Sequence, residues 1–394
     1  TSAADPKHTS CRFVRPNSTL FLILLTASTS ASIKLSKDAT ISILTCSPGN
    51  ELYSLFGHTG IRVVDKANDM DIVFNYGTFD FATQGFYFKF ARGLLPYQLS
   101  CSEFRRFLSS YIYDERSVYS QTLNLDSIQK QYLMDLLFEN YQPANREYLY
   151  NFLYDNCSTR VRDIIEKSTD NQITWIAQPS TKSFWNLLDE YLSRSPWIQW
   201  GIHTILGSPA TSTATIREQM FLPDYLMYHL DSAAYNGAPL VQPIETVYEA
   251  PEQDLSTPWY FSPFFVFAIC TLALILLLQK VKSRRLLKAI AIPFFIATGV
   301  VGCLIVFLCF FTKHPTMFPN FNAFWANPLN LIAAFFLRKH TLPWIINKYL
   351  FIYLYLLIIG FLLWFLFVPA VPYASMVIMV WMIYLCIRLR QSGK

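Results

Sequence analysis

The chain has 394 residues, of which 53% are hydrophobic and 16% are aromatic. This composition is too apolar for an ordinary soluble protein and indicates segments that lie in lipid. All 27 acidic residues and 20 of the 32 basic residues precede residue 258, so that part has a net charge of −7 and the rest +12. The later positive charges stand singly or in small groups between apolar runs, which is typical of the flanks of membrane spans. We therefore expect a membrane protein without a nucleic-acid partner.

The N-terminal part resembles an export signal. Residues 18–32, STLFLILLTASTSAS, come after Arg12 and Arg15 and have a short apolar core that ends in small residues, the pattern of a secretory signal peptide. An uncleaved anchor is the alternative, and either form exports the domain after it. We predict three parts: a signal peptide with upstream residues (1–32), a periplasmic domain (33–257) and a transmembrane domain (258–394).

The exported domain is predicted to contain both strands and helices. The run GIRVVDKANDMDIVFNYG indicates two strands around a polar turn at 66–69, with His58 at the entrance of the hairpin. Two helices come next, in SCSEFRRFLSSYIY and in LDSIQKQYLMDLLFENY, and Asp126 is a plausible cap for the second. The later segment 196–225 is rich in loops and aromatic residues, and we expect it on the bilayer surface.

A cysteine at the start of a further helix lies in a setting that favours its thiolate. In YLYNFLYDNCSTRVRDIIEKS, either Asp155 or Asn156 can cap a helix that begins near Cys157. The first turn of a helix presents unpaired backbone N–H groups and the positive end of the dipole, and Arg160 adds a positive charge nearby. Helix-start amides near Ser158 could stabilise an oxyanion. This pattern predicts Cys157 as a nucleophile.

A nucleophilic thiol needs a base to hold its proton. His58 lies at a strand entrance, a position not shared by the other histidines after the signal core, which are His203, His229, His314 and His340. His58 is therefore the predicted base. A lone histidine or cysteine is often purely structural, and Cys46 in LTCSPGN is a rival nucleophile.

The group that orients the imidazole is not decided by the spacing. The strand after the hairpin turn returns opposite His58 near residues 75–77, so Asn75 or Tyr76 could hold the ring. Asn75 would do so by a neutral hydrogen bond, as in a Cys, His, Asn arrangement. The alternatives are Asp80 and Asp155.

Five membrane spans are predicted after residue 258, from the need for about 20 apolar residues to cross the hydrocarbon core as a helix. They fall near 259–278, 289–311, 321–337, 349–368 and 371–387. Eleven of the twelve positive charges in this half fall on one side of these spans, which the positive-inside bias makes cytoplasmic. The sequence thus predicts an inner-membrane protein with a periplasmic domain and a cytoplasmic C-terminus.

The same topology places the run FTKHPTMFPNFN on the outer face. It contains His314 and Asn320, and Asn327 and Asn330 come next in the short third span. Polar groups at membrane depth are costly unless they find partners. One interpretation is a substrate seat that includes His314 and Asn320, and the other is interhelical hydrogen bonding beside a proline-rich turn.

Several runs resemble the Lnb family, namely CSPGNELYSLFGHTGIRV, VFNYGTFDF, YNFLYDNCSTRVRDIIEK and REQMFLPDYL. The resemblance covers most of 40–250, and the runs HPTMFPN and NPLN resemble the family's membrane half. It implies an α+β exported domain with a permuted papain-like (NlpC-type) fold, in which the His strand precedes the Cys helix, and then an all-α membrane domain of five helices. By this resemblance Cys157 matches the nucleophile and His58 the base.

The resemblance also implies the reaction, lipoprotein N-acylation in a ping-pong sequence. A phospholipid donates an acyl chain to Cys157, and the N-terminal amine of a diacylglyceryl-cysteine lipoprotein accepts it. We expect substrate contacts at Tyr76, Ser158, Arg160, His314 and Asn320. The eight scattered cysteines suggest neither a metal site nor a disulfide framework, and no cofactor is expected. The rivals are a membrane-bound cysteine hydrolase, either a phospholipase or a cell-wall amidopeptidase, and a non-enzymatic envelope scaffold.

Overall fold

A computed structural model describes residues 33–176, 181–252, 257–280, 283–366 and 371–391. The predicted signal peptide lies outside these residues. The chain divides into two compact units, one of residues up to 178 with 218–251, the other of 179–217 with 252 onward. Residues 179–217, which we expected in the exported domain, thus group with the C-terminal helices. The protein combines an N-terminal sheet domain with a C-terminal helical domain.

The strands and helices are numbered in chain order. The strands are β1 Thr40–Cys46, β2 His58–Asp65, β3 Met70–Thr78, β4 Pro96–Glu103, β5 Val118–Thr122, β6 Glu147–Leu149, β7 Ala234–Tyr235, β8 Ala238–Pro239 and β9 Glu245–Tyr248. The helices are α1 Phe86–Ala91, α2 Phe104–Tyr113, α3 Ser127–Tyr141, α4 Cys157–Ser168, α5 Phe184–Leu192, α6 Pro196–Ile205, α7 Ile216–Gln219, α8 Pro223–Ser232, α9 Pro263–Lys280, α10 Arg284–Phe311, α11 Leu329–Leu337, α12 Trp344–Leu366 and α13 Tyr373–Gln391.

A seven-stranded sheet organises the described part of the first unit, in the order β6-β4-β3-β2-β1-β5-β9. Successive residues of β3 show how both of its faces are covered, because side chains alternate along a strand. Val73 packs with Phe107 and Tyr111 of α2. The next residue, Phe74, instead makes ring contacts with α3. Helix α4 packs against α3, β2 and β3, which brings its first residue to the sheet.

The predicted hairpin is confirmed as β2 and β3, which pair antiparallel from Ile61 with Phe74 to Asp65 with Met70. Its turn forms because the Asp65 carboxylate accepts the Ala67 N–H and because Asp69 adopts φ 48°, a left-handed conformation that Asp tolerates. The predicted cap of α3 is also confirmed, since Asp126 accepts the N–H groups of Ile128 and Gln129.

Four helices of the second unit's described residues are long and apolar enough to cross a membrane, within α9, α10, α12 and α13. The third predicted span, near 321–337, departs from this pattern. It contains a 3-10 turn, Phe321–Phe324, and then α11 with only nine residues. The Asn327–Pro328 pair lies between them, and a proline disfavours helical conformation in the residue before it. At about 1.5 Å per residue, α11 covers about half of the hydrocarbon core.

The ends of these helices nevertheless group as the charge pattern predicts. The Lys288 ammonium, near the start of α10, donates to the Lys339 and His340 carbonyl groups after α11. The Arg388 guanidinium, near the end of α13, donates to the Leu278 carbonyl in the last turn of α9. Basic residues from three separate segments therefore share one end of the helical unit.

Candidate active site

Cys157 is the first residue of α4, and Asn156 is the cap. The Asn156 carboxamide oxygen accepts the Thr159 N–H at 2.9 Å, and the Thr159 hydroxyl accepts the Asn156 N–H at 2.7 Å. The Asn156 amide also donates to the carbonyl groups of Phe152 and Phe221. This network fixes the start of the helix, so that Cys157 lies at the positive end of the helix dipole with a side chain only 6% exposed.

The electrostatic surroundings of Cys157 favour its thiolate. Burial is the largest single influence and by itself would raise the pKa of the thiol. The charge and hydrogen bond of His58, the Thr59 backbone N–H and the Ser158 hydroxyl together outweigh it and lower the pKa from 9.0 to about 7. The thiol is therefore about half ionised near neutral pH, as a nucleophilic cysteine requires.

His58 contacts both Cys157 and Asn75. Its Nε2 atom lies 3.3 Å from Oδ1 of Asn75, and the ring hydrogen-bonds to the Cys157 thiol. Because Asn75 occupies Nε2, the ring nitrogen left for the thiol is Nδ1. Gly60 makes room for this arrangement, since a Cβ atom at that position would come within 3.1 Å of Asn75 Oδ1.

The other residues considered for orienting the ring are engaged elsewhere. Asp80 accepts the Ala82 N–H in its own loop. Asp155 binds the Arg160 guanidinium in a bidentate pair at 2.6 and 2.8 Å. Tyr76 is 1% exposed, and its hydroxyl accepts a hydrogen bond from the Asn140 amide. The sequence left either Asn75 or Tyr76 to orient the His58 ring, and the structure places Asn75 at the imidazole.

Two glycines with positive φ let the backbone pass close to the site. A Cβ atom on Gly57, at φ +80°, would lie 2.7 Å from the Cys46 carbonyl oxygen. A Cβ atom on Gly77, at φ +86°, would lie 3.1 Å from the Tyr150 ring. Glycine is required at Gly57 because both the conformation and the space exclude a side chain, and this fixes where β2 and His58 begin.

The rival thiol is in a different environment. Cys46 is fully buried in the core between the sheet and α2, and burial raises its pKa to about 12. Burial likewise raises the pKa of Cys101 to about 12. A thiol that stays protonated is a poor nucleophile, so these surroundings favour Cys157.

The residues predicted to contact substrate in the first unit have partners within the protein. Ser158 is fully buried, and its hydroxyl lies 2.8 Å from that of Thr59 and 4.0 Å from the Cys157 sulfur. The Arg160 guanidinium, besides its pair with Asp155, lies 3.4 Å from the Tyr148 ring centroid. These contacts position α4 against the sheet, and a substrate role for either residue stays a prediction.

The two predicted contacts from the outer loop lie in the second unit. The Asn320 amide donates to the Thr204 and Ile205 carbonyl groups at 3.1 and 3.0 Å, at the C-terminal end of α6, and the residue is 8% exposed. His314 is half-buried, and its backbone N–H donates to the Thr312 hydroxyl. Asn320 therefore has a structural role as the partner of helix-end carbonyl groups.

Asn330 makes the interhelical hydrogen bonds that were one of the two interpretations of this region. Its amide donates to the hydroxyl groups of Thr298 and Tyr353, and its oxygen accepts from the Tyr349 hydroxyl. The contacts join α10, α11 and α12 through one fully buried side chain.

Sequence reasoning missed Tyr150 and Thr59. The Tyr150 side chain hydrogen-bonds to Cys157 and stacks on Tyr97, with ring centroids 4.4 Å apart. The backbone N–H of Thr59 bonds to the Cys157 thiol. The only signal for Tyr150 was its position in the aromatic run YLYNFLYDNC just before the cysteine. Among the described residues, no group of three or more His, Cys, Asp or Glu side chains could hold a metal ion.

Two family models match the chain. The model of the Lnb N-terminal periplasmic domain matches residues 28–190, and the model of the Lnb transmembrane domain matches residues 253–392. The first match includes His58, Asn75 and Cys157. No curated protein and no solved structure matches the chain significantly.

Proposed function

Since the chain belongs to the Lnb family, we propose that it is a lipoprotein N-acyltransferase that works through a thioester on Cys157. The observation that carries this proposal is the group of residues that surround the Cys157 thiol. The pKa of the Cys157 thiol is lowered to about 7, and the thiol hydrogen-bonds to His58. Asn75 in turn holds the His58 ring. A thiol, a base and a group that orients the base are what nucleophilic acyl transfer requires.

In the first half-reaction, the Cys157 thiolate attacks the carbonyl carbon of a phospholipid acyl ester. His58 holds the thiol proton, and the backbone N–H groups at the start of α4 are proposed to stabilise the oxyanion. The tetrahedral intermediate collapses with cleavage of the ester C–O bond. His58 returns its proton to the departing oxygen, which leaves a lysophospholipid and an acyl thioester.

In the second half-reaction, the α-amine of a diacylglyceryl-cysteine lipoprotein attacks the thioester. The C–N bond forms, the C–S bond breaks and the amine proton passes through His58 to the departing sulfur. The product is a triacylated lipoprotein, and the free thiol is restored. No external energy source is needed, because an ester is exchanged for a more stable amide.

The surroundings of the thiol support transfer to an amine over hydrolysis. Cys157 is 6% exposed, and the stacked rings of Tyr150 and Tyr97 lie beside it. Limited access of water favours the survival of a thioester until the acceptor arrives. This is the feature that separates the proposal from a cysteine hydrolase with the same residues.

The membrane domain supports the same proposal, because both substrates are anchored in lipid. The shared end of the helical unit, with its basic residues, is proposed to be cytoplasmic under the positive-inside bias. The active domain is then periplasmic and the protein lies in the inner membrane. The position of the His strand before the Cys helix supports a permuted papain-like arrangement for the first unit.

The test is the mass of a synthetic diacylated lipopeptide after incubation with phospholipid and purified full-length protein. We expect one added acyl chain with wild type, none with Cys157→Ala, and normal transfer with Cys101→Ala, a control thiol in the same unit. Free fatty acid with an unchanged lipopeptide would instead identify a hydrolase. Equal activity of wild type and Cys157→Ala would contradict the proposed nucleophile.

A further inference from the structure

An exposed group of aromatic side chains lies on the first unit. We call it the aromatic surface and define it by Tyr53, Phe79, Phe81, Phe86, Phe90 and Tyr97. Tyr53, Phe81 and Phe90 are 65%, 56% and 51% exposed. Large aromatic side chains that stay exposed together are unusual on a protein surface and indicate a binding partner.

The aromatic surface is continuous with the thiol. The Phe81 ring lies 5.0 Å from that of Phe79, and Phe79 lies 5.2 Å from Tyr97. Tyr97 in turn stacks on Tyr150 at 4.4 Å, and Tyr150 lies beside Cys157, since a Cβ atom on Gly77 would come within 3.1 Å of the Tyr150 ring and 3.7 Å of the Cys157 Cβ atom. An unbroken series of rings therefore leads from solvent to the sulfur atom.

Charge identifies the kind of molecule that suits this series. Positive charge lies at the α1 end of the surface, where residues 81–102 contain Lys89 and Arg92 and no acidic residue, whereas Asp80 and Glu51 border its other end beside Phe79 and Tyr53. Lys89 lies within α1 and Arg92 directly follows it, with the Arg92 guanidinium 5.5 Å from the Phe88 ring centroid. An apolar chain with an anionic group at one end would meet apolar rings and positive charge together. A phospholipid has this combination, with an ester where the chain joins the head group.

We propose that the aromatic surface receives an acyl chain of the phospholipid donor and guides its ester to Cys157. This inference rests on the proposed function, because it assigns a donor path to that reaction. It predicts discrimination by chain length, since only a long chain can cover several rings. Each aromatic ring buried by the chain contributes on the order of tenfold in affinity.

The variant for the test is the double substitution Phe81→Ser with Phe90→Ser, at two exposed rings. The matched control is Tyr113→Ser, since Tyr113 is 87% exposed on α2. We would measure single-turnover release of lysophospholipid by the full-length protein from a long-chain donor and from a dihexanoyl donor. Alkylation of Cys157 by iodoacetamide reports on the thiol without any lipid.

In the double variant, the rate of lysophospholipid release from the long-chain donor is expected to fall about tenfold or more, the effect of one or two lost ring contacts. Its rates with the dihexanoyl donor and with iodoacetamide should stay within about twofold of wild type, as should all rates of Tyr113→Ser. An unchanged long-chain rate, or an equal loss with both donors, would overturn the proposal. If lysophospholipid release is unchanged and only transfer to intact lipoprotein is slower, the surface binds the acceptor, and this result would also overturn the proposal.

A second measurement does not depend on turnover. Full-length Cys157→Ala protein is irradiated with a phospholipid that carries a diazirine at the end of one acyl chain. Labelling within residues 79–97 that the double variant abolishes supports the proposal, and labelling unchanged in that variant overturns it. If residues 79–97 are labelled while wild-type protein adds no acyl chain to the lipopeptide in the mass assay, the donor path stands and N-acyl transfer fails, so the two proposals are separated.

Discussion

The hydroxyl oxygen atoms of Thr59 and Ser158 lie 2.8 Å apart, although 99 residues separate them in the sequence. Each is the neighbour of a proposed catalytic residue, Thr59 of His58 and Ser158 of Cys157. Both are fully buried, so the bond joins the start of β2 to the first turn of α4 in the interior of the unit. The bond thereby fixes the position of the base relative to the thiol.

This relationship predicts energetic coupling between the two hydroxyl groups. Thr59→Val removes the 2.8 Å bond of the buried Ser158 hydroxyl and leaves it only the 4.0 Å contact with the Cys157 sulfur, at a cost of about 1–3 kcal/mol in the free energy of unfolding. Ser158→Ala should cost a similar amount. The double variant should cost clearly less than the sum of the two, because neither hydroxyl is then left without the other. Unfolding midpoints of the four proteins measure this, and strictly additive costs would contradict it.

Removal of the imidazole should raise the pKa of Cys157. His58 and its neighbours lower that pKa to about 7 against burial, so in His58→Ala the effect of burial should dominate and raise it above 9.0. The measurement is the pH dependence of iodoacetamide alkylation. In wild type the rate should rise through a midpoint near 7, because the thiolate fraction increases with pH. An unchanged midpoint in His58→Ala would refute this account, and His229→Ala is the control histidine.

Asn75 is predicted to act by positioning His58. Asn75→Ala should reduce the acyl-transfer rate by about tenfold or more, a part of the roughly 10²–10⁴ that a positioned base contributes. It should also raise the midpoint of Cys157 alkylation, since a ring that is not held stabilises the thiolate less well. Asn75→Asp keeps an oxygen acceptor and should restore part of both properties. A slower reaction with an unshifted midpoint would indicate a general loss of structure instead.

Gly57 and Gly237 form a matched pair for the steric argument. Both have positive φ, +80° and +78°, but nothing lies within 4 Å of a Cβ atom on Gly237. Gly237→Ala should therefore cost only the left-handed conformation, about 1–2 kcal/mol. Gly57→Ala should cost more, because its Cβ atom would meet the Cys46 carbonyl oxygen at 2.7 Å. Equal shifts of the two unfolding midpoints would mean that the backbone relaxes around the contact.

Asn320 offers a test between a structural and a substrate role. Its amide bonds to two carbonyl groups of α6, so Asn320→Ala should lower the free energy of unfolding by about 1–3 kcal/mol. The alkylation rate of Cys157 should not change. If the unfolding midpoint is instead unchanged while the KM for phospholipid or lipopeptide rises, Asn320 contacts substrate.

Local sequence signals determined a considerable part of this protein. The hairpin around 66–69, the cap at Asp126 and the start of a helix at Cys157 each depend on neighbours within a few residues. The division into an acidic exported part and a basic apolar part results from composition, and so do the long membrane helices. These features could be predicted because their causes lie in the same short segment of chain.

Only the tertiary structure decided the features that depend on distant residues. It placed Asn75 rather than Tyr76 at the imidazole, brought Tyr150 to the thiol and grouped residues 179–217 with the membrane helices. It also gave Asn320 the carbonyl groups of α6 as partners. The pKa of Cys157 belongs to this class, because burial and the contacts from β2 set it. Such contacts depend on which strand faces which helix, and the order of residues along the chain does not by itself specify that packing.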